Sequence, residues 1–341
     1  MPTIKDVARE AGVSIATVSY VLNKKDQNIP PHTRQQVLNA VKRVGYSPNI
    51  NGRNLKSSQS RLIGYAWHLL PPDQVNPVLD RFAYYLAQEA EALGYHLLTF
   101  TYPREDPLPV YQELIQTGRV DAFVIASTEV NDPRIRFLLD REFPFVSFGR
   151  ANPNWQFPCV DTDGRAGVRE AVEYLISLGH RRIGMIAWPE DSISGSYRVE
   201  GDLEALHAHG LNTSEDLLLR GENNETAGRN AVAHWSSLPI DQQPTAVIAV
   251  SDLVAVGVMH GAEEFGFVPG KTLSVIGFDD MYMSQYLRPA LTTLHQPIRE
   301  ISAEIMAMLE LLLSKDAPSE PSMRLITPRL VIRETASPPP G

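Results

Sequence analysis

The stretch "GVSIATVSYVLN", residues 12–23, decides how the first part of this 341-residue chain folds. It predicts a short helix after a turn at Gly12, because glycine readily adopts the left-handed backbone conformation that a sharp reversal needs. The side of this helix that faces its own core is apolar and consists of Val18, Val21 and Leu22. The outward side carries Ile15, Ala16 and Tyr20. Because these three side chains do not contribute to the core of the head, they indicate a surface that binds another molecule.

Two further helices are predicted beside this one. Thr3 followed by Asp6 resembles a capping box, and apolar residues recur at helical spacing up to Gly12. A third helix is expected from Pro31, a favourable first-turn residue, to Gly45. Two short helices across a glycine turn, closed by a third, describe a helix-turn-helix, whose second helix enters the major groove of DNA. A generic three-helix interaction bundle is the alternative.

The charge distribution favours the DNA-binding interpretation. Residues 1–60 contain nine Lys and Arg residues against three acidic residues, a net charge of +6. Because the whole chain carries −9, the remaining residues carry −15. A basic segment joined to an acidic body is the asymmetry expected of a nucleic-acid module attached to another domain. An uneven surface without function is the alternative explanation.

Two segments resemble the DNA-binding head of the LacI/GalR family of bacterial transcriptional repressors. They are "TIKDVAREAGVSIATVSYVLN" (residues 3–23) and "TRQQVLNAVKRVGYSPN" (residues 33–49). In that family the two residues after the equivalent of Ser14, and one further position, read bases. By this resemblance the base-reading residues are Ile15, Ala16 and Tyr20. Residues expected to hydrogen-bond phosphates are Thr17, Ser19 and Asn23.

The head departs from the family pattern at two positions. Tyr20 stands where arginine is frequent, and a tyrosine cannot make the bidentate contact that arginine makes with guanine. Ile15 and Ala16 favour apolar contact with thymine methyl groups rather than a hydrogen-bonded readout. Pro30 replaces the Ser or Thr that usually precedes the third helix, so we expect that helix to lack a side-chain cap.

Residues 47–60, "SPNINGRNLKSSQS", have the composition of a polar linker. Their pattern nevertheless resembles the family's hinge helix, which is too short to be stable alone and orders when paired on DNA. The resemblance implies that Leu55 enters the minor groove as a wedge, that Arg53 and Lys56 contact groove and phosphates, and that Asn49 caps the helix. The residues expected at DNA are therefore Thr3, Ser14, Ile15, Ala16, Thr17, Ser19, Tyr20, Asn23, Asn49, Arg53, Leu55 and Lys56.

The remainder of the chain alternates strand-like and helical segments. The strand-like runs are "LIGYAW", "HLLTFTY", "AFVIAS", "FVSFG", "RIGMIA", "DLLLRG", "AVIAVS" and "LSVIGFDD". Amphipathic segments between them include residues 79–93, 165–178 and 253–265. This rhythm predicts parallel, doubly wound sheets, and the number of strands favours two lobes over one sheet. We therefore predict an all-α helix-turn-helix head plus an α/β body of two Rossmann-like lobes.

The predicted domain bounds follow from these segments. They are 1–47 for the helix-turn-helix head, 48–61 for the hinge, 62–336 for the effector-binding and dimerisation domain, and 337–341 for a tail. The chain is expected to cross between the lobes near residues 159–161, 289–292 and 321–326. The first lobe is thus predicted to hold residues 62–159 and 290–321, and the second lobe residues 160–289 and 322–336.

Several classes of enzyme lack their motifs in this sequence. No GxGxxG follows the first strand and no GxxxxGK[ST] occurs, which excludes these dinucleotide and P-loop sites. HExxH, GxSxG and paired Cys/His spacings are absent, and no base, nucleophile or metal cluster accompanies Asp279 and Asp280. His180, in "LGHRRIG", is expected to be structural. We therefore expect no catalytic residue, no metal site and no cofactor.

The body resembles the effector domain of the same family, which is similar to periplasmic sugar-binding proteins. The resemblance is carried by "VDTDGRAGVREAVEYLISLGHRRIGMIA", "PTAVIAVSDLVAVGV", "LSVIGFDD" and "RPALTTLHQPIREIS". It implies a ligand in the crevice between the lobes, at the carboxyl ends of the strands. Arg198 and Asp279 match family positions that contact the effector. A buried Arg198–Asp279 pair that only braces the lobes is the alternative.

Two positions of the effector site depart from the family pattern. Ser251 replaces the usual asparagine, and Gly149 occupies the usual aspartate position, so Arg150 is expected to take over part of the ligand contact. Trp67, at the end of the first strand, is expected either to stack on a sugar ring or to belong to the lobe core. The expected effector residues are Trp67, Arg150, Arg198, Ser251 and Asp279.

Together these patterns predict a ligand-responsive, DNA-binding transcriptional repressor that acts as a homodimer on palindromic double-stranded operator DNA. The expected effector is a saccharide, which alters operator affinity through the hinge; a purine or nucleoside is the alternative. A transporter's solute-binding protein would share the body. The basic head, and a start "MPTIKDVARE" without the apolar region of a signal peptide, oppose that function.

The composition favours the cytoplasm and no membrane attachment. No run of about 18 apolar residues occurs, and Cys159 is the only cysteine, so no disulfide can form within the chain. After the last strand-like run, "RLVIRET", the tail "ASPPPG" carries no heptad pattern. We therefore do not expect a tetramer that is held together by a terminal coiled coil.

Overall fold

The computed structural model describes seven stretches of the chain, residues 2–22, 28–46, 59–67, 76–103, 105–211, 214–314 and 320–340. The chain divides into two compact units, Met1–Ser60 (the head) and Arg61–Gly341 (the body). Most of the predicted hinge and the residues Asn23, Asn49, Arg53, Leu55 and Lys56 lie outside the described residues. Within the described stretches, no helix is both long and apolar enough to cross a membrane.

The head contains the three predicted helices, α1 (Ile4–Ala11), α2 (Ile15–Leu22) and α3 (Pro31–Val44). Gly12, with φ 62°, ends α1 in the left-handed conformation, and Gly45 ends α3 in the same way with φ 66°. The three helices bury a shared apolar core, whose members are Val7, Ala8, Ala11, Val18, Val21, Val37 and Ala40. The head therefore has the predicted helix-turn-helix arrangement.

The helix caps of the head agree with the sequence. The Asp6 carboxylate accepts hydrogen bonds from the Thr3 backbone N–H at 2.8 Å and from the Thr3 hydroxyl at 2.7 Å. The Ser14 hydroxyl accepts a hydrogen bond from the Thr17 N–H at 3.1 Å and so caps α2. Pro30 provides no side-chain cap for α3, as its substitution for Ser or Thr predicted.

The body alternates strands and helices along the chain. Its strands are β1 (Leu62–Trp67), β2 (His96–Thr101), β3 (Ala122–Ile125), β4 (Phe145–Phe148), β5 (Cys159–Thr162), β6 (Ile183–Ala187), β7 (Leu218–Arg220), β8 (Ala246–Ala249), β9 (Ser274–Asp279), β10 (Thr292–His295), β11 (Met323–Ile326) and β12 (Arg329–Val331). Its α-helices are α4 (Pro77–Ala92), α5 (Leu108–Gln116), α6 (Pro133–Leu139), α7 (Gly164–Ser177), α8 (Ile193–Ala208), α9 (Glu225–Ser236), α10 (Asp252–Glu264) and α11 (Ile298–Leu312). All eight strand-like runs and the three amphipathic segments named above are confirmed as strands and helices.

These strands form two six-stranded sheets, one in each lobe. The order is β11-β5-β4-β3-β1-β2 in the first lobe and β12-β10-β9-β8-β6-β7 in the second. Neighbouring strands are parallel, except that β12 runs antiparallel to β10. Helices α4 and α11 pack on one face of the first sheet and α5 and α6 on the other; α9 and α10 flank the second sheet opposite α7 and α8. The predicted fold class is confirmed.

The structure corrects the predicted lobe boundaries. β5 pairs with β4 in the first sheet, although the chain was expected to leave that lobe near residue 159. β10 pairs with β9 in the second sheet, and β11 pairs with β5 in the first, each opposite to the prediction. The chain therefore crosses after β5, after β10 and after β11. A short apolar run fits either sheet by its composition, so only its long-range neighbours decide which sheet it joins.

The segment predicted to be a tail is anchored on the second lobe. His180 is buried, and its Nε2 donates to the Ser337 carbonyl at 2.8 Å, while its Nδ1 lies 2.9 Å from the Thr245 hydroxyl. The Ser337 hydroxyl donates to the Gly270 carbonyl at 2.8 Å. Burial lowers the pKa of His180, which favours the neutral imidazole, while the hydrogen bond to Ser337 opposes this shift. His180 thus has the structural role that the sequence predicted.

One buried carboxyl in the second lobe is not compensated by any neighbour. Asp202 lies in α8 and is 1% exposed, and neither of its oxygens has a hydrogen-bond partner among the described residues. Burial raises the pKa of Asp202 to about 7. The folded protein therefore binds this proton more tightly than the unfolded chain does. As a result, the free energy of unfolding falls as the pH rises from about 4 to about 7, because the unfolded chain can ionise Asp202 more easily.

We therefore expect Asp202→Asn to stabilise the protein at alkaline pH. The gain in the free energy of unfolding over the unmodified protein should grow by about 3 kcal/mol between pH 5 and pH 8, since one pKa unit corresponds to about 1.4 kcal/mol. Urea unfolding at both pH values measures it. The exposed Asp241→Asn is the matched control and should show no such growth. An equal effect of Asp202→Asn at both pH values would contradict the prediction.

Candidate functional site

The body contains a cavity of about 570 Å³ between its two lobes. Its walls come from segments that follow β1, β3, β4, β6, β7 and β10, and from the last residues of β5 and β9. In both sheets the strand order reverses beside the first strand of the lobe, and ligands of such sheets bind at the carboxyl ends near that reversal. The volume lies within the usual range for small-molecule sites.

Among the described residues, twenty-three line this cavity. They are Asn76, Val78, Leu79, Ser127, Thr128, Glu129, Val130, Phe148, Gly149, Asp161, Thr162, Gly164, Trp188, Pro189, Asp191, Ser192, Ser194, Arg198, Glu222, Asn223, Asn224, Asp279 and Gln296.

Arg198 is the cationic centre of the cavity. Its guanidinium carbon lies 3.5 Å from the ring centre of Phe278 and 4.6 Å from that of Trp188, and its Nη1 donates to the Val250 carbonyl. Desolvation lowers the pKa of Arg198 to about 10, so the side chain remains charged at neutral pH. The Nε–H of Arg198 and the Nε1–H of Trp188 are buried without an acceptor among the described residues. Two unpaired donors therefore belong to side chains that line the cavity.

Asp279 lies at the end of β9 and is 6% exposed. Its Oδ1 accepts a hydrogen bond from Gln296 Nε2 at 2.6 Å. Burial raises the pKa of Asp279 to about 7, and the nearby carboxyl of Asp252 adds to the rise. Among the described residues no ion pair joins Asp279 to Arg198, so the structure does not contain the bracing pair that was the alternative for these two side chains.

Acidic side chains outnumber cations on the cavity wall. The carboxyl groups belong to Glu129, Asp161, Asp191, Glu222 and Asp279, whereas Arg198 is the one cation among the lining residues of the described chain. Burial raises the pKa of Asp161, and the charge of Arg150 opposes that rise. The balance favours a ligand that donates hydrogen bonds and disfavours an anionic one, since like charges repel strongly away from water.

Helix caps fix several polar side chains of the wall. Asn76, Ser192 and Asn224 each accept a hydrogen bond from a backbone N–H in the first turn of α4, α8 and α9 respectively. Ser251 caps α10 through the Val254 N–H at 3.2 Å, and its hydroxyl donates to Asn223 Oδ1 at 2.6 Å. The cavity therefore has a polar wall whose groups are held in place by the ends of helices.

The structure brings together two of the five expected effector residues, Arg198 and Asp279, and places the other three outside the lining set. Trp67 packs against the core of the first lobe, with its ring edge-on to Tyr65 at 5.6 Å. Ser251 lies behind Asn223, which it holds. Arg150 lies behind Asp161, to which its Nε donates at 2.8 Å. In the structure each of these three side chains is engaged by the protein, and their direct contact with an effector stays a prediction.

Several wall residues were missed from the sequence. Trp188 follows β6 directly, and Thr162 and Gln296 stand at two of the crossings. The rule that ligands bind at the carboxyl ends of parallel strands would have selected Trp188 and Asn223. Thr162 and Gln296, which are hydrogen-bonded to each other at 2.9 Å, required the correct crossing points.

The head presents its own candidate surface. Ile15 and Tyr20 are 45% and 53% exposed, and Ala16 is exposed beside them, as the helix pattern predicted. The hydroxyls of Ser14 and Thr17 lie 2.9 Å apart. The outward side of α2 is therefore formed by apolar and aromatic side chains.

Two family profiles match this chain. Residues 3–49 match the bacterial regulatory proteins of the lacI family, and residues 172–336 match the periplasmic binding protein-like domain. The first match covers the three helices of the head, and the second covers most of the second lobe together with α11, β11 and β12.

Known proteins similar to this chain are also regulators. The transcriptional repressor CytR of Escherichia coli (strain K12) is 33% identical over 309 residues, which cover 90% of this chain and 88% of that protein. The lac repressor dimer bound to operator and the anti-inducer ONPF has a TM-score of 0.83 at 26% identity, covering 98% of this chain and 99% of that chain. The transcriptional regulator CelR in complex with cellobiose has a TM-score of 0.73 at 27% identity, covering 98% and 100%.

The two tryptophans near the site give a test of these positions. Trp188→Leu removes a cavity wall and a face that stacks on Arg198, so we expect effector affinity to fall about tenfold or more. Trp67→Leu removes packing in the first lobe and should cost about 1–2 kcal/mol of stability with effector affinity unchanged. Calorimetric titration and urea unfolding measure the two quantities. A larger loss of affinity for Trp67→Leu than for Trp188→Leu would reverse the assignment.

Proposed function

Because the chain belongs to the LacI family of bacterial regulatory proteins, we propose that it represses transcription at an operator under the control of a small molecule bound in its body. The observation that carries this proposal is the cavity at the carboxyl ends of two parallel sheets, whose wall contains Arg198 and Trp188 among several acidic side chains. The body is attached to a basic helix-turn-helix head, so ligand binding and DNA binding reside in one chain.

We assign DNA binding to residues 1–47, a linking hinge to 48–61, and effector binding with dimerisation to 62–336. In the head, Ile15, Ala16 and Tyr20 would read base edges, because they form the exposed side of α2. The proposed phosphate and positioning contacts in the described head are Thr3, Ser14, Thr17 and Ser19. The proposed contacts outside the described residues are Asn23, Asn49, Arg53, Leu55 and Lys56.

We propose that the protein binds a palindromic operator as a homodimer. Two heads related by a two-fold axis bind two half-sites of the same symmetry. The lac repressor, whose fold this chain shares, was captured as a dimer bound to operator. A change in the angle between the lobes would alter the spacing of the two hinges and thereby operator affinity. The working compartment of such a regulator is the cytoplasm, and the proposed activity requires no cofactor.

The wall chemistry favours an uncharged saccharide as the effector. Each sugar hydroxyl both donates and accepts hydrogen bonds, so it suits a wall that combines several carboxyl groups with the guanidinium of Arg198. A phosphate group would meet the acidic wall unfavourably. The similar regulator CelR was captured with cellobiose. A nucleoside is the second candidate, because its ribose offers the same hydroxyls and the wall contains the aromatic side chain of Phe148.

Matched pairs of compounds test the proposed effector class. We expect an uncharged member among cellobiose, ribose, glucose and adenosine to raise the melting temperature, because a ligand stabilises the folded state that binds it. The phosphorylated partners, ribose 5-phosphate, glucose 6-phosphate and AMP, should raise it less. Thermal-shift measurements followed by calorimetric titration decide the outcome. A phosphorylated compound that binds more tightly than its uncharged partner would exclude the proposed class.

Tyr20→Ala tests the proposed DNA-binding surface. We expect affinity for an operator selected from random duplexes to fall about tenfold or more, because loss of a base contact costs about 1–3 kcal/mol. Affinity for unrelated duplex DNA should change little. Fluorescence anisotropy measures both, and Ile240→Ala, an 83% exposed apolar position in the body, is the control. Equal losses on operator and unrelated DNA would show that Tyr20 carries no sequence readout.

A further inference from the structure

Two arginines of the first lobe contact the second lobe beside the cavity. Arg150 follows β4, and its guanidinium carbon lies 3.6 Å from the ring centre of Tyr197 in α8. Arg81 lies in α4 and donates from Nη1 to the Asp280 carbonyl at 3.1 Å and from Nη2 to the Asp279 carbonyl at 3.2 Å. Both contacts therefore join one lobe to the other.

The groups that these arginines contact adjoin two of the charged side chains that the second lobe presents to the cavity, Arg198 and Asp279. Tyr197 immediately precedes Arg198 in α8. The carbonyl held by Arg81 belongs to Asp279 itself, whose carboxyl lines the cavity. Asp279 and Asp280 have φ angles of 128° and 51°, which non-glycine residues seldom adopt, so their conformation depends on the contacts that surround them.

Arg150 also holds the wall of its own lobe. Its Nε donates to Asp161 Oδ2 at 2.8 Å, and its backbone carbonyl accepts a hydrogen bond from the Thr128 hydroxyl at 2.9 Å. Asp161 and Thr128 both line the cavity. The preceding Gly149 has φ 107°, and a Cβ there would lie 2.5 Å from the Thr128 hydroxyl oxygen. Glycine at this position therefore lets the chain turn so that Arg150 passes behind the wall.

Neither arginine belongs to the lining set, and both have their donors or faces engaged by protein groups. A planar guanidinium suits such a role, because it can stack on an aromatic ring and hydrogen-bond in its plane at the same time. Arg150 uses both modes, with Tyr197 on its face and Asp161 at its edge. It therefore connects a wall residue of the first lobe to the helix that carries Arg198.

We propose that Arg81 and Arg150 are positioning residues of the effector site, which hold the lobes closed and place Asp279 and Arg198 for the effector. When the two contacts are made, the second-lobe side chains stand opposite the first-lobe wall. When they break, Tyr197 and the 279–280 backbone are released together with their neighbours. The inference rests on the proposed function for the identity of the site, but the contacts can be tested without an effector.

The test measures the distance between the lobes in the full-length, effector-free protein. Gln112→Cys in α5 and Ala208→Cys in α8 place spin labels on exposed positions of the two lobes, and the native Cys159 is buried. Doubly labelled subunits are diluted with unlabelled protein. Pulsed electron–electron double resonance then gives the distribution of distances between the two spin labels. We expect Arg150→Gln and Arg81→Gln each to shift the distribution to longer distances and to broaden it.

Matched variants separate this role from general destabilisation. Tyr197→Ala removes the ring from the other side and should reproduce the effect of Arg150→Gln, whereas Tyr197→Phe keeps the ring and should match the unmodified protein. Arg169→Gln is the control for loss of an arginine, because Arg169 is 54% exposed and pairs with Glu173 inside α7. An unchanged distribution in the two arginine variants, or an equal shift in Arg169→Gln, would overturn the proposal.

Titrations with cellobiose, ribose and adenosine complete the test. The probe that binds the unmodified protein should bind Arg150→Gln and Arg81→Gln about tenfold or more weakly, and Tyr197→Phe and Arg169→Gln with unchanged affinity. Unchanged affinity in both arginine variants would contradict the proposal. If none of the three probes binds the unmodified protein, the proposed effector class fails, while the distance measurement still decides whether the arginines hold the lobes.

Discussion

The buried guanidinium of Arg198 is the interaction on which the arrangement of the cavity depends. A charge removed from water needs compensation, and here it comes from the Val250 carbonyl and the faces of Phe278 and Trp188. The charges of Asp161 and Asp279 act on it through space without a direct ion pair among the described residues. Its Nε–H nevertheless remains without an acceptor. The fold therefore tolerates an incompletely satisfied cation in the wall of the cavity.

Two acidic side chains of the wall, Asp161 and Asp279, are also buried with only part of their charge compensated by neighbouring groups. Burial raises the pKa of Asp161 and of Asp279, and each has only part of its hydrogen-bonding capacity satisfied by Arg150, Thr162 or Gln296. A molecule that donates hydrogen bonds to carboxylates and accepts them from N–H groups matches both the acidic and the cationic side chains of the wall. The hydrogen-bonding chemistry of the cavity is thus a consequence of these buried charges.

The crossings between the lobes form part of this cavity. Thr162 ends β5 before the first crossing, and Gln296 follows β10 at the second; their side chains are hydrogen-bonded to each other and both line the wall. Gln296 also donates to Asp279. A change in the angle between the lobes must therefore act on residues that line the cavity. This geometry gives a physical route by which binding in the body can alter the orientation of the lobes.

The sequence by itself determined the local elements and the division into a helical head and an α/β body. Helical spacing in α2 identified Ile15, Ala16 and Tyr20 as the outward side, and alternating apolar runs identified the strands, because both patterns depend on neighbours along the chain. Only the tertiary structure decided which sheet receives β5, β10 and β11, and that Trp67 packs in a lobe core while Trp188 lines the cavity. Those outcomes depend on strand pairing and burial between residues far apart in sequence. The hydrophobic periodicity of a short segment contains no information about such distant neighbours.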